Sequence, residues 1–189
     1  MFELLEQADR SALLWVNQLG APSLDSFWVL VTRPETWIPF YALFLFLIIW
    51  SNDRRNAIIT VVTLLVLCLA VILFTDLVKE LVGRVRPNNL AGQLPGLRVL
   101  QMPESYSFFS GHASSSFALS TFVYLELRRR WKWSFFIFLW PLLFVSSRLF
   151  VGVHYPSDIL VGGIFGFACG YLVYRLVLRY KPKHLADIT

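Results

Sequence analysis

The chain has 189 residues, of which 57% are hydrophobic, 16% aromatic and only 15% charged, with a mean hydropathy of +0.60. Soluble domains carry about a quarter charged residues, so this composition excludes disorder and a disulfide scaffold and argues against a soluble enzyme. The net charge of +5 does not point to nucleic acid, because the cations fall in short clusters between long apolar runs, as membrane topology demands. The two cysteines, Cys68 and Cys169, sit inside apolar runs and read as packing residues.

The N-terminus begins with acids where a signal peptide needs a positive region, and no cleavable targeting segment is visible. Residues 2–19 place Leu4, Leu5, Ala8, Ala12 and Leu13 at helical spacing against Glu3, Glu6, Asp9 and Arg10. This predicts an amphipathic helix lying in the membrane interface, within an interfacial segment over 1–34. Five apolar stretches follow, at about 36–50, 57–78, 111–127, 133–152 and 157–177. The fold class is therefore an all-α integral membrane helical bundle of about five transmembrane helices plus the N-terminal amphipathic helix. A sixth span over 12–32 is the alternative, opposed by Gly20, Pro22 and Asp25. The whole chain reads as one domain, with a transmembrane core over 36–177 and a basic tail over 178–189.

Arg54 and Arg55, then Arg128, Arg129, Arg130 and Lys132, then Arg175, Arg179, Lys181 and Lys183 share one side if there are five spans. The positive-inside rule makes that side cytoplasmic and predicts the cytoplasmic (inner) membrane, with the other loops facing the periplasm. Those other loops nevertheless carry Lys79, Arg84, Arg86 and Arg98. Solvated loop charges would explain this, and so would an anion site. Gly162, Gly166 and Gly170, and likewise Ser116 and Ser120, recur every four residues and read as helix-packing devices.

Three short segments on the non-cytoplasmic side collect the polar residues that a dry bundle should avoid. In the first, continuation of the second span would put Asp76, Lys79, Gly83 and Arg86 on one face, with Pro87 at its end. Lys79 and Arg86 would then reach a common pocket, unless they only snorkel to headgroups. In the second, Ser110 is an N-cap candidate and Gly111 allows close backbone approach. The helix N-terminus they open is a ready anion site, with His112 at its mouth. In the third, Arg148 ends a span, where an unpaired charge costs about 2.5–3.5 kcal/mol. Asp158 lies four residues beyond His154 and can fix its tautomer, leaving the other ring nitrogen as a nucleophile. A capping Ser, an idle His and an Asp placed for the helix dipole are the plain alternatives, each reasonable alone. Their coincidence on one membrane face favours a site.

These residues resemble the three-part signature of the type 2 phosphatidic acid phosphatase family, membrane lipid phosphatases related to vanadium haloperoxidases. Lys79 with Arg86-Pro87, Ser110-Gly111-His112, and Ser147-Arg148 with His154 and Asp158 stand in the family's order and spacing. Phe109 replaces the proline that begins the family's second motif. The resemblance implies a metal-independent phosphatase, without a cofactor, acting on a lipid phosphate or diphosphate in the bilayer. His154 would attack phosphorus, oriented by Asp158, and His112 would protonate the leaving oxygen. Lys79, Arg86, Arg148, Ser110 and the Gly111 amide would hold the phosphate. Undecaprenyl diphosphate and phosphatidylglycerophosphate lead the substrates the resemblance implies, with phosphatidic acid and lipid A phosphates behind them. The loop over 88–106, with Arg98, Glu104 and Tyr106, is the candidate selector. A bell-shaped pH dependence is expected from two histidines in opposite protonation states. A non-enzymatic lipid-binding or transport bundle is the alternative from another class; a haloperoxidase is disfavoured by the hydrophobicity. His184, in the basic tail, receives no role.

Three cations around the cluster oppose a divalent ion. Phosphate release should therefore persist in EDTA; activity lost in EDTA and restored by a metal would contradict this reading.

Overall fold

The computed structural model describes residues 2–181, all helix and loop with no strand among them. Lys183 and His184 lie outside the described residues. Seven α-helices run as α1 (Phe2–Gln18), α2 (Asp25–Val31), α3 (Ile38–Ser51), α4 (Arg54–Val82), α5 (Gly111–Leu127), α6 (Leu139–Phe150) and α7 (Pro156–Val177). Four segments are long and apolar enough to cross a membrane: Pro34–Ser51, Arg54–Gln93, Lys132–Phe150 and Pro156–Val177. Helix α5, at 17 residues, lies at the centre of the bundle against α7, α4, α6 and α3. The five predicted spans are thus five helices. The possible sixth is broken into α1, a 3-10 turn at Pro22–Leu24 and α2.

Helix α4 has 29 residues, about 44 Å at 1.5 Å per residue, against a hydrocarbon layer of about 30 Å. It therefore carries Asp76 and Lys79 beyond the apolar slab. Asp53 caps its start by accepting from the amides of Arg55 (3.2 Å) and Asn56 (3.3 Å). Gly83 ends it in the left-handed conformation at φ 62°, which other residues adopt only with strain. The helix consequently stops before Arg86, which sits in an extended segment. This corrects the expectation that Lys79 and Arg86 share a helical face.

Packing is densest where α5 meets α7. A Cβ on Gly162, Gly166 or Gly170 would collide with the backbone of Ser110, Ser114 or Ala118 respectively. The stripe facing the glycines is thus Ser110, Ser114 and Ala118. Ser116 and Ser120, the other small pair on α5, are buried, and Ser116 lines a cavity on another side of the helix. Phe44, Leu67, Phe122, Trp140 and Phe144 fill the rest of the interior. Ile58, Leu65, Leu69, Leu160, Ile164 and Leu172 point outward, as surfaces that meet lipid do.

At the basic end, Arg130 donates to the Ser51 carbonyl and Lys181 pairs with Glu126. At the opposite end, residues 94–110 fold across the α6–α7 turn. Gly152 there, at φ 76°, lies so close to the Arg98 carbonyl that no side chain fits. Fully buried Asn17 fastens α1 to this end, donating to the carbonyls of Leu149 (2.9 Å) and Arg98 (3.0 Å). Leu4, Leu5 and Trp15 of α1 and Leu19 just after it are exposed, while Leu13 is buried. Asp9, expected on the polar outer face, turns inward.

Gly166→Ala should lower the unfolding temperature in detergent by the equivalent of about 1–3 kcal/mol, the usual cost of overpacking. Gly163→Ala should be near neutral, because its Cβ would meet only Phe117 ring atoms at 3.4–3.5 Å. Equal unfolding temperatures for both variants would contradict this packing.

Candidate active site

His154 lies in the short turn between α6 and α7, 1% exposed. Arg86 Nη1 donates to its Nε2 at 3.0 Å. A guanidinium has no acceptor, so Nε2 carries the lone pair and the ring proton is on Nδ1. That nitrogen is 3.4 Å from both Asp158 Oδ2 and Ser107 Oγ. The four-residue spacing therefore does bring Asp158 to the ring. Asp158, wholly buried at the start of α7, also accepts from the Tyr155 amide (3.0 Å), from Ser107 Oγ and from Arg84 (2.6 Å). Burial, and then the charges of Arg86 and Arg148, lower the His154 pKa to about 3 against the opposing pull of Asp158. The imidazole is neutral at every physiological pH.

Arg86 is buried among neutral acceptors. Besides His154 it donates to the carbonyls of Ser105 (2.5 Å) and Val153 (3.0 Å), and to Ser105 Oγ (3.0 Å). Arg148, also 4% exposed, donates to Thr32 Oγ1 and to Gln101 Oε1 (3.3 Å), and its buried Nε has no partner. Among the described residues neither guanidinium meets a carboxylate. Two buried cations that no carboxylate touches make this cluster a favourable place for an anion.

Ser110 caps α5, its Oγ accepting from the Ala113 amide at 3.4 Å. Its own amide is spent on the Asp158 carbonyl at 3.0 Å, so the free backbone donors of this turn are those of Gly111 and His112. Phe109, standing where the family has proline, is buried against Phe165 of α7, ring centroids 5.0 Å apart. Packing thus restrains this loop where a proline ring would. His112 Nε2 donates to the Thr32 carbonyl at 3.1 Å, and its ring lies 4.7 Å from that of Phe144. Thr32 therefore joins the partners of Arg148 and His112. Lys79 is held by Asp76 at 2.9 Å, with Nζ beside Gly111.

A cavity of about 530 Å³ opens from Lys79, Gly111 and His112 and runs between α3, α4, α5 and α6. Tyr41, Phe44, Leu64, Leu119 and Phe144 make most of its wall apolar. His154 does not line it.

All three motif segments thus converge at one end of the bundle. Thr32, Gln101, Ser105, Ser107, Arg84 and Asp9 join them without having been given roles, although Arg84 stood out as a charge against the topology rule, Ser107 begins the second segment, and Gln101 and Ser105 belong to the 88–106 loop. Arg98, a candidate selector, instead pairs with Asp25 and the Gly20 carbonyl.

Residues 59–182 match the sequence model described as the PAP2 superfamily. The chain belongs to the PAP2 superfamily. The match includes Lys79, Arg86, Ser110, Gly111, His112, Arg148, His154 and Asp158. This PAP2 protein is 33% identical over 191 residues to a lipid A 4'-phosphatase of Bacteroides thetaiotaomicron, covering 99% of this chain and 84% of the relative. It is 30% identical over 141 residues to an undecaprenyl-diphosphatase of Sulfolobus acidocaldarius, covering 74% and 63%. Its fold is similar to that of a phosphatidylglycerolphosphate phosphatase of Bacillus subtilis, with a TM-score of 0.76, 18% identity, and 96% and 90% of the chains covered. The protein is thus an integral membrane enzyme, a PAP2 lipid phosphatase, and the purely binding or transporting alternative falls away.

The low pKa of His154 moves the acid limb of the expected bell away from this residue. The unfolded chain takes up a proton near pH 6.5 and the folded one only near 3, so this burial removes stability as pH falls below about 6.5. Histidine NMR should find His154 neutral from pH 8 to about pH 4. A midpoint near 6.5 would contradict the buried, arginine-flanked geometry.

Proposed function

We propose that this PAP2 enzyme removes the 4'-phosphate of a lipid A-type saccharolipid through a phosphohistidine on His154, at the outer face of the cytoplasmic membrane. The observation that carries the phosphoryl-transfer reading is the pair Arg86 and Arg148, buried beside a neutral histidine with no carboxylate in hydrogen-bond contact with either. The lipid A assignment is supported by the relatives that align along nearly the whole chain. The Bacteroides protein and a relative from Porphyromonas gingivalis, 25% identical over 97% of this chain, are both lipid A 4'-phosphatases. These relatives support lipid A phosphates over undecaprenyl diphosphate and phosphatidylglycerophosphate, the pair that the family resemblance put first. The outward orientation is supported by the basic end of the bundle, which the positive-inside rule assigns to the cytoplasm.

The phosphate oxygens sit between Arg86, Arg148 and Lys79, with the Ser110 hydroxyl and the Gly111 amide as further donors. Donors already in place contribute most where charge develops in the transition state. As Arg86 turns its Nη1 from His154 to a phosphate oxygen, the Nε2 lone pair is freed. Nε2 attacks phosphorus, the bond from phosphorus to the lipid oxygen breaks, and His112 gives that oxygen a proton. The positive charge arising on His154 is met by Asp158 through Nδ1–H. Water then attacks the phosphohistidine, losing a proton to His112, and the phosphorus–nitrogen bond breaks to regenerate His154. The leaving lipid lies toward the apolar cavity because His112 lines it and His154 does not.

Purified enzyme in detergent should release phosphate from lipid A in preference to undecaprenyl diphosphate and phosphatidylglycerophosphate. His154→Ala should abolish release, and His112→Ala should reduce it by about 10²–10⁴-fold, as for a general acid. Release that survives His154→Ala would overturn the mechanism. A stronger response to either of the other lipids would overturn the substrate.

A further inference from the structure

Arg84 lies outside the residues given roles above, yet it stands between two carboxylates. Its Nη1 donates to Asp158 Oδ1 and its Nη2 to Asp9 Oδ2, both at 2.6 Å. The guanidinium also donates to Ser157 Oγ at 2.8 Å and lies 4.0 Å above the Tyr155 ring. Asp9 reaches the first turn of α7 as well, accepting from the Ser157 amide (2.9 Å) and hydroxyl (2.5 Å). Its side chain is only 9% exposed, although it belongs to a helix whose other face is open and apolar. It also precedes the span that matches the superfamily, residues 59–182.

We propose that Asp9, on the N-terminal helix, is a positioning residue for the phosphoryl transfer, keeping Asp158 negatively charged toward His154 by sharing Arg84 with it. This rests on the phosphohistidine reading above. The argument is one of charge. Asp158 must stabilise a histidine that becomes positive when its Nε2 bonds to phosphorus. An arginine paired with Asp158 alone would hold the carboxylate in place and cancel its charge. With Asp9 on the other arm, two carboxylates share one guanidinium, and the cluster retains one negative charge next to the imidazole. Arg84 then supplies orientation without neutralisation. Asp9 touches neither the histidine nor the phosphate position and acts entirely through Arg84 and Ser157.

A purely structural tether between α1 and α7 would use the same contacts, so the test separates charge from anchoring. Initial rates of phosphate release from the preferred lipid are measured for Asp9→Asn, Asp9→Glu, Arg84→Gln and the double variant Asp9→Asn/Arg84→Gln, each with its unfolding temperature. His154→Ala serves as the reference. Asp9→Asn should lower kcat about 10–100-fold, the range for residues that orient a reacting group from outside, with KM within about threefold. Asp9→Glu, which keeps the charge, should recover most of the loss. The double variant should exceed Asp9→Asn, because removing both charges returns the cluster to one net negative charge on Asp158. Wild-type kcat in Asp9→Asn would overturn the proposal. So would a double variant below Asp9→Asn, or Asp9→Glu no better than Asp9→Asn. If His154→Ala remains active, the phosphohistidine reading is what has failed.

Discussion

Two buried guanidinium groups without a carboxylate between them set the terms for the rest of this structure. Arg86 and Arg148 are each 4% exposed, and their neutral partners hold their geometry but not their charge. Each acceptor around them has a second function. The Ser105 carbonyl ties the 94–110 loop to Arg86, and Thr32 joins α2 to Arg148 and His112. The His154 ring is kept neutral by its burial and then by the charges of these two arginines. In the proposed mechanism a phosphate entering this cluster takes the Arg86 donor from His154 Nε2 and so frees the proposed nucleophile, which makes binding and activation one event.

The bundle supports this by building rigid surfaces where they are needed. Glycines on α7 let α5 approach to backbone contact, so the Ser110 turn and the start of α7 form one unit joined by the Ser110 amide and the Asp158 carbonyl. The long α4 overshoots the membrane and delivers Lys79 to the rim, while Gly83 breaks the helix so that the chain can carry Arg84 and Arg86 back over the α6–α7 turn. The cavity beside His112 adds the asymmetry a lipid phosphatase needs. Its apolar wall adjoins His112, the proposed general acid, and His154, the proposed nucleophile, lies outside it.

The sequence made the bundle legible because apolar length and clustered cations are direct readouts of a bilayer. Lys79, Arg86, Ser110, Gly111, His112, Arg148, His154 and Asp158 were legible because their spacings form one pattern. What was missed depends on contacts far apart in the chain. Asp9 reaches Arg84 across 75 positions, and Thr32 reaches Arg148 across 116, distances at which periodicity carries no information. The partner stripe of the α7 glycines, Ser110, Ser114 and Ala118, was not legible because a helix alone does not reveal which neighbour each face meets. The helical continuation to Arg86 failed at Gly83, whose left-handed conformation outweighs an otherwise regular pattern. Asp9 was assigned to the outer face because an amphipathic pattern separates polar from apolar, and the polar side of α1 turned out to face an arginine.

The central claim is that an anion completes the Arg86–Arg148 cluster, and binding of inorganic phosphate tests it without any lipid. Calorimetric titration of the detergent-solubilised enzyme should show one site, competitive with substrate. Affinity should fall about tenfold or more in Arg148→Gln, the worth of a charge-assisted hydrogen bond of about 1.5–3 kcal/mol. Absent binding, or equal affinity in the variant, would contradict the account.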